Sequence, residues 1–355
     1  MRLKPISAAL ALAAVCAATL PAPARAAVQA AVQAAAQANT PANSKPSAPD
    51  AQKIFLDTDI GDDIDDAYAL GLLLASPNVQ ITGISSAWGD TALRSRELDR
   101  LLCLTGRDAI PVGTGVVKTR PGAGAFSQRA WASHGPSRPH PQAVDLLLQT
   151  IRRYPGQVTL VSLGPMTNLG AAVDRDPATF RKLRRIVLMG GSVNHGYDDD
   201  HPLAPATAPQ PEYNIAMDPE AAGKVFRSGV PLVVLPLDST QIPLDATRRA
   251  ALAGVSTPLT DALQVLTNEW ATVNHYPNPT LYDVVAAAAA LDANSCPTTP
   301  LHLEVDAAGN TRSTPGTPNA EACLAPHADA FFALLMPRLL EQHLAGTGAC
   351  YVAKP

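Results

Sequence analysis

Apolar positions fall into two spacings along this chain, and the two alternate. Short segments of the strand kind, apolar runs or apolar residues alternating with polar ones, occur at 54–56, 79–86, 111–114, 158–163, 186–189 and 231–235. Between them lie stretches whose apolar residues recur every three to four positions. These predict helices at 67–74, at 91–104 (Leu93, Leu98, Leu101, Leu102), at 143–153, from 167 to 173, and at 219–228. A long alanine-rich helical run follows Asp283. Strand and helix in strict alternation imply an α/β chain with a mainly parallel sheet and helices on both faces. No internal repeat period occurs.

Composition sets the limits of that body. Residues 1–26 carry Arg2 and Lys4, an apolar run from Ile6 to Leu20, and an Ala-x-Ala end at Ala24-Arg25-Ala26, the pattern of a secretory signal peptide. Its apolar core is too short to span a bilayer comfortably, so no membrane association is expected after cleavage. Residues 27–50 are Ala, Gln, Pro, Asn and Ser, a disordered tether. The remaining 51–352, about 300 residues, suffice for one large domain. Loss of Arg2, Lys4 and Arg25 takes 27 basic residues to 24 against 31 acidic ones, a net charge of −7. With no basic cluster, nucleic acid is not an expected partner. Export to the periplasm or the outside permits disulfides. Cys103, inside an apolar helical pattern, reads as a buried free thiol, and one pair among Cys296, Cys323 and Cys350 can bridge.

The chemistry concentrates after the first strand. Asp57, Asp59, Asp62, Asp63, Asp65 and Asp66 are six carboxylates within ten residues, with no Lys or Arg between Lys53 and Arg94. Gly61 marks a tight turn at a strand's carboxyl end, where open α/β sheets bind ligands. A hard divalent cation with oxygen ligands answers the repulsion, and Ca²⁺ tolerates many carboxylates. Asp65 and Asp66 can also serve as helix-capping and dipole-complementing acids. EF-hand spacing is absent.

Further motifs follow in order: Gln128 to Gly135 with Trp131 and His134, then Leu163-Gly164-Pro165-Met166-Thr167-Asn168. Met189-Gly190-Gly191, Glu212-Tyr213-Asn214, Asp218-Pro219-Glu220-Ala221-Ala222 and Thr280-Leu281-Tyr282-Asp283 complete the set. Glu212 and Asn214 would lie on one side of an extended segment. Thr167 or Asn168 would cap the helix that follows them, Asp218 and Pro219 make a helix start, and Asp283 suits a helix cap. Together with the acid loop, this series resembles the inosine-uridine preferring nucleoside N-ribohydrolases, in the version with a longer aspartate motif. The likeness spans about 53–340, and it implies a single Rossmann-like domain.

The resemblance implies a calcium ion held by Asp59, Asp66, Asp283 and the backbone carbonyl of Leu163. It further implies Asp59 as general base, Asp65 on the ribose 2′-hydroxyl, Glu212 and Asn214 on the other hydroxyls, and His134 on a mobile loop over the nucleobase. Self-association, as homo-oligomers, is expected by the same analogy. Tyr282 stands where relatives often carry the histidine that protonates the base, and Tyr197 near where an asparagine is common. Help for the leaving base is therefore open among Trp131, His134, Trp270, His275, Tyr276 and Tyr282. Two rivals remain: a non-catalytic periplasmic nucleoside- or sugar-binding protein, and a haloacid dehalogenase-type phosphatase, which also opens with strand-Asp-x-Asp. The second expects a distant acidic pair, whereas here the pair follows at once.

Overall fold

The computed structural model describes residues 51–121, 126–198 and 207–346. The segments expected to be a signal peptide and a tether, together with 199–206, lie outside them. Among the described residues ten strands are found: β1 (Gln52–Thr58), β2 (Val79–Ser86), β3 (Val112–Gly113), β4 (Val158–Ser162), β5 (Arg185–Met189), β6 (Leu232–Leu235), β7 (Thr299–Leu301), β8 (Leu303–Val305), β9 (Thr311–Ser313) and β10 (Ala320–Ala322). The helices are α1 (Asp65–Leu74), α2 (Thr91–Leu104), α3 (Arg129–Ser133), α4 (Ala143–Arg153), α5 (Thr167–Arg175), α6 (Pro177–Phe180), α7 (Tyr213–Met217) and α8 (Pro219–Phe226). They continue with α9 (Leu237–Thr240), α10 (Ala246–Ala253), α11 (Pro258–Asn274), α12 (Tyr282–Leu291) and α13 (Ala328–Glu341).

One eight-stranded sheet runs β3-β2-β1-β4-β5-β6-β10-β7, parallel except for β7 against β10; β8 and β9 form a separate hairpin. This is the expected mainly parallel α/β architecture. The central strands are buried on both faces, as continuous apolar runs require. Along β1, Ile54 and Leu56 pack into one hydrophobic layer and Phe55 into the other. Val187 and Met189 of β5 alternate with Ile186 and Leu188 in the same way. The chain passes from β1 outward to β2 on one side, and later resumes at β4 on the other. That reversal leaves a crevice at the carboxyl ends of β1 and β4, the switch point where such sheets bind ligands.

Two helices bring acids to this crevice. Helix α1 follows β1 through the Gly61 turn, and the alanine-rich α12 packs against it. Their first turns carry Asp65, Asp66 and Asp283, where helix dipoles favour negative charge. None of the three is the cap: Ile64 and Leu281 hold those positions without side-chain bonds.

Three sequence expectations need correction. The 212–214 segment is not extended, because Glu212 caps α7 and turns the chain into a helix. Thr167 and Asn168 do not cap α5; their side chains are drawn to Asp218 and Asp57 instead. Cys103 is half-buried and disulfide-bonded rather than a buried free thiol, its partner lying outside the described residues. Chain remote in sequence packs beside it, with Gly346 donating to the Leu104 carbonyl at 2.8 Å, and periodicity carries no sign of that. The bridge expected in the C-terminal region joins Cys296 to Cys323.

Candidate active site

A cleft of about 320 Å³ opens at the switch point. Asp59, Asp65, Asp66, Asp283, Leu163, Glu212 and Asn214 line it, together with Tyr197, Trp270 and Tyr282. Carboxylate oxygens of Asp65, Asp66 and Asp283 come within 4.8 Å of one another, all buried. Asp59 stands beside Gly164, where a Cβ would come within 2.6 Å of its Oδ1; only glycine admits this approach. Thr58 donates to Asp66 Oδ1, and the Asp283 amide donates to Asp65 Oδ2 at 2.9 Å. These bonds aim the two carboxylates.

The electrostatics are those of a site short of positive charge. Burial, joined by repulsion from neighbouring aspartates, pushes Asp65, Asp66 and Asp283 well above the usual carboxylate range. Burial raises Asp59 to about 7, against an opposing pull from Arg94, and raises Asp63 to about 6. Arg94 is fully engaged elsewhere, donating to the Asp59, Ile60 and Trp88 carbonyls and to Asp62. Three converging carboxylates without a cation of their own, and with oxygen donors only, suit a hard divalent metal ion. The Leu163 carbonyl reaches the same cleft and accepts from Asn214 Nδ2 at 2.7 Å.

Glu212 and Asn214, the residues expected at the sugar, are firmly held. Glu212 accepts from the amides of Gly191, Asn214 and Ile215 at 2.9, 2.8 and 3.1 Å, yet burial still lifts it to about 7. Asn214 also donates to Met189 O at 3.2 Å. Asp57 lies behind the cleft as loop support, accepting from Ser85 and, at 2.8 Å, from Asn168.

Among the six leaving-group candidates, only Trp270 and Tyr282 line the cleft. Tyr282 packs edge-on against Tyr197 with ring centroids 6.3 Å apart. Burial moves both phenols up, so they stay protonated. His134 is exposed at the end of α3, its Nδ1 on the Ala130 carbonyl at 2.8 Å, and does not reach the cleft. Trp131 is buried beneath Arg100, 4.1 Å from the guanidinium carbon to the ring centroid. The segment expected as a free lid is docked on the acid loop: Ser127 Oγ bonds Asp62 O and Gln128 Nε2 bonds Asp63 O, both at 2.7 Å. Sequence reasoning missed Thr58 and Arg94. Thr58 stood inside the motif, while Arg94 had no signal except being the next basic residue.

Converging carboxylates beside aromatic rings, at the switch point of an α/β sheet, make a site suited to a cation and a small ligand. The chain belongs to the inosine-uridine preferring nucleoside hydrolase family, whose pattern matches residues 54–333. It is 36% identical over 232 residues to the pyrimidine-specific ribonucleoside hydrolase RihA of Citrobacter koseri, covering 60% of this chain and 70% of that one. Among solved structures it resembles the plant nucleoside hydrolase PpNRh1, with a TM-score of 0.70 and 25% identity over 82% of this chain and all of that one. A purine-preferring ribonucleoside hydrolase from Gardnerella vaginalis gives 0.69 and 25%, over 81% and 98%. The protein is therefore an enzyme, an N-glycosyl hydrolase of ribonucleosides.

Proposed function

We propose that the enzyme cleaves the N-glycosidic bond of ribonucleosides to ribose and free base with the help of a calcium ion. The convergence of Asp65, Asp66 and Asp283 at the floor of the cleft, beside Asp59, carries this reading. Asp59, Asp66, Asp283 and the Leu163 carbonyl would hold the ion. Bound there, it supplies a Lewis acid that lowers the pKa of water and orients the sugar hydroxyls.

Asp59 takes the proton of the attacking water as the water oxygen bonds to C1′ of the ribose. The C1′–N bond breaks, and its electron pair leaves with the base. Asp65 accepts from the 2′-hydroxyl, while Glu212 and Asn214 grip the remaining hydroxyls from their fixed positions. The base lies against Trp270, Tyr197 and Tyr282. Tyr282, protonated throughout, donates a hydrogen bond to the departing base in place of a titrating histidine.

Export to the periplasm or outside, after cleavage near Ala26, belongs to the same reading. The Cys296–Cys323 bridge supports an oxidising compartment. N-terminal sequencing of the secreted protein tests the cleavage point, and light scattering tests self-association. The decisive assay is reducing-sugar release from a panel of purine and pyrimidine nucleosides, with and without a strong chelator. Release that the chelator stops and Ca²⁺ restores is expected, and the panel assigns the base. Release indifferent to the chelator overturns the calcium role.

A further inference from the structure

Arg94 lies outside the cleft lining, yet four acceptors converge on it. Nε donates to Trp88 O at 2.8 Å. Nη1 donates to the carbonyls of Asp59 and Ile60, and Nη2 meets Asp62 Oδ2 at 2.9 Å. The side chain is only 2% exposed. Phe126 covers the guanidinium, 5.0 Å from its carbon to the ring centroid, and fills the space where Gly61 has no Cβ.

The backbone is bent to permit this. Trp88 has φ of 61° and Gly89 of 60°, two consecutive left-handed residues between β2 and α2. A non-glycine residue adopts that conformation only against a steric penalty. The turn presents the Trp88 carbonyl to Arg94, which sits in the first turn of α2. Arg94 thereby ties the end of β2 to the loop after β1, at the two residues that follow Thr58.

Asp59 is held from behind by its own carbonyl while its carboxylate faces the cleft. Asp62, three residues on, adds a further charge that would push the loop outward. We infer that Arg94 is a positioning residue: it anchors the Asp59–Asp62 turn so that the Asp59 carboxylate is preset toward Asp66 and Asp283, and thereby sets the affinity for the cation. This rests on the calcium reading above. If Arg94 served only to neutralise Asp62, removing both charges together would leave the cation affinity intact.

Two variants separate these roles. Arg94→Lys keeps a positive charge beside Asp62, but one ammonium cannot span four acceptors. Arg94→Met combined with Asp62→Leu deletes the ion pair as a unit, so that Asp62 is not left without its partner. Calcium binding to chelator-stripped protein is measured by titration calorimetry, alongside thermal unfolding and the kcat and KM of ribose release. Both variants are expected to bind calcium about 10–100-fold more weakly than wild type, the usual loss when a group orienting a metal ligand is removed. At saturating calcium, kcat recovers to within a few-fold. A calcium Kd within threefold of wild type in the folded double variant overturns the inference. Should the double variant not fold, Arg94→Lys decides by the same threshold. Wild-type protein that binds no calcium sinks the calcium reading and this inference with it; unchanged variants beside a calcium-binding wild type sink the inference alone.

Discussion

Asp283→Asn should change the sign of its effect on stability when calcium is added. The Asp283 carboxylate lies within 4.8 Å of those of Asp65 and Asp66. At an effective dielectric of about 20, each fully ionised pair at that distance repels by roughly 3 kcal/mol. Because all three groups are pushed above the usual carboxylate range, the full repulsion is an upper bound, and the relief from one substitution is roughly 1–3 kcal/mol. The Asp283 amide, not its side chain, bonds Asp65, so asparagine keeps that contact. Under chelation the variant should melt above wild type, by roughly 2–6 °C for a body of this size. With calcium at about a thousand times its Kd, wild type gains about 4.1 kcal/mol, more than the relief and a gain the variant largely forgoes. Differential scanning calorimetry at pH 7 in chelator and in calcium reads both signs. A variant that melts below wild type in both media would show that the carboxylate is structural. An equal calcium shift in both proteins would refute its role as a ligand.

The chelated protein should lose stability as pH rises. Asp59 and Glu212 have folded pKa values of about 7, above their ordinary values near 4, so the folded state binds more protons across that window. Their stabilisation is complete below about pH 4 and gone above about pH 7, and melting scans from pH 4 to 8 without metal should show the decline. His134→Ala should leave kcat/KM within about twofold, because His134 bonds only its own helix; a drop beyond tenfold, over 1.4 kcal/mol, would mean the segment moves into the cleft during turnover. Replacing Cys296 and Cys323 together by serine reopens a loop spanning 27 positions, at a cost of about 3.5 kcal/mol in the chain-entropy account, which urea unfolding would measure.

The alternating pattern settled much by itself. The mostly apolar run at 158–162 reads as a strand covered on both faces, the alternating run at 79–86 as a strand partly open at its start, and helical spacing at 91–104 and 143–153 as two amphipathic helices. The acid loop announced a charge problem, because six carboxylates in ten residues need an answer wherever they are placed. The short strands β7 to β10 carried too few residues for any period, and α11 was not distinguished from its surroundings. Sequence also could not say where the answer to the charge would come from. Asp283 is 217 residues from Asp66, and only the packing of α12 on α1 brings their carboxylates together.

Arg94 shows the same limit from the opposite side. As the next basic residue along the chain it was visible, but its four contacts depend on a left-handed turn and on β2 lying beside β1. His134 was legible as a motif and is placed outside the cleft, because Gln128 and Ser127 bond the acid loop and hold that segment down. Composition and periodicity are local, and they determine which residues are strand, helix and charge. Which carboxylates share one gap is decided by contacts across the sheet, and those exist only once the layers have closed.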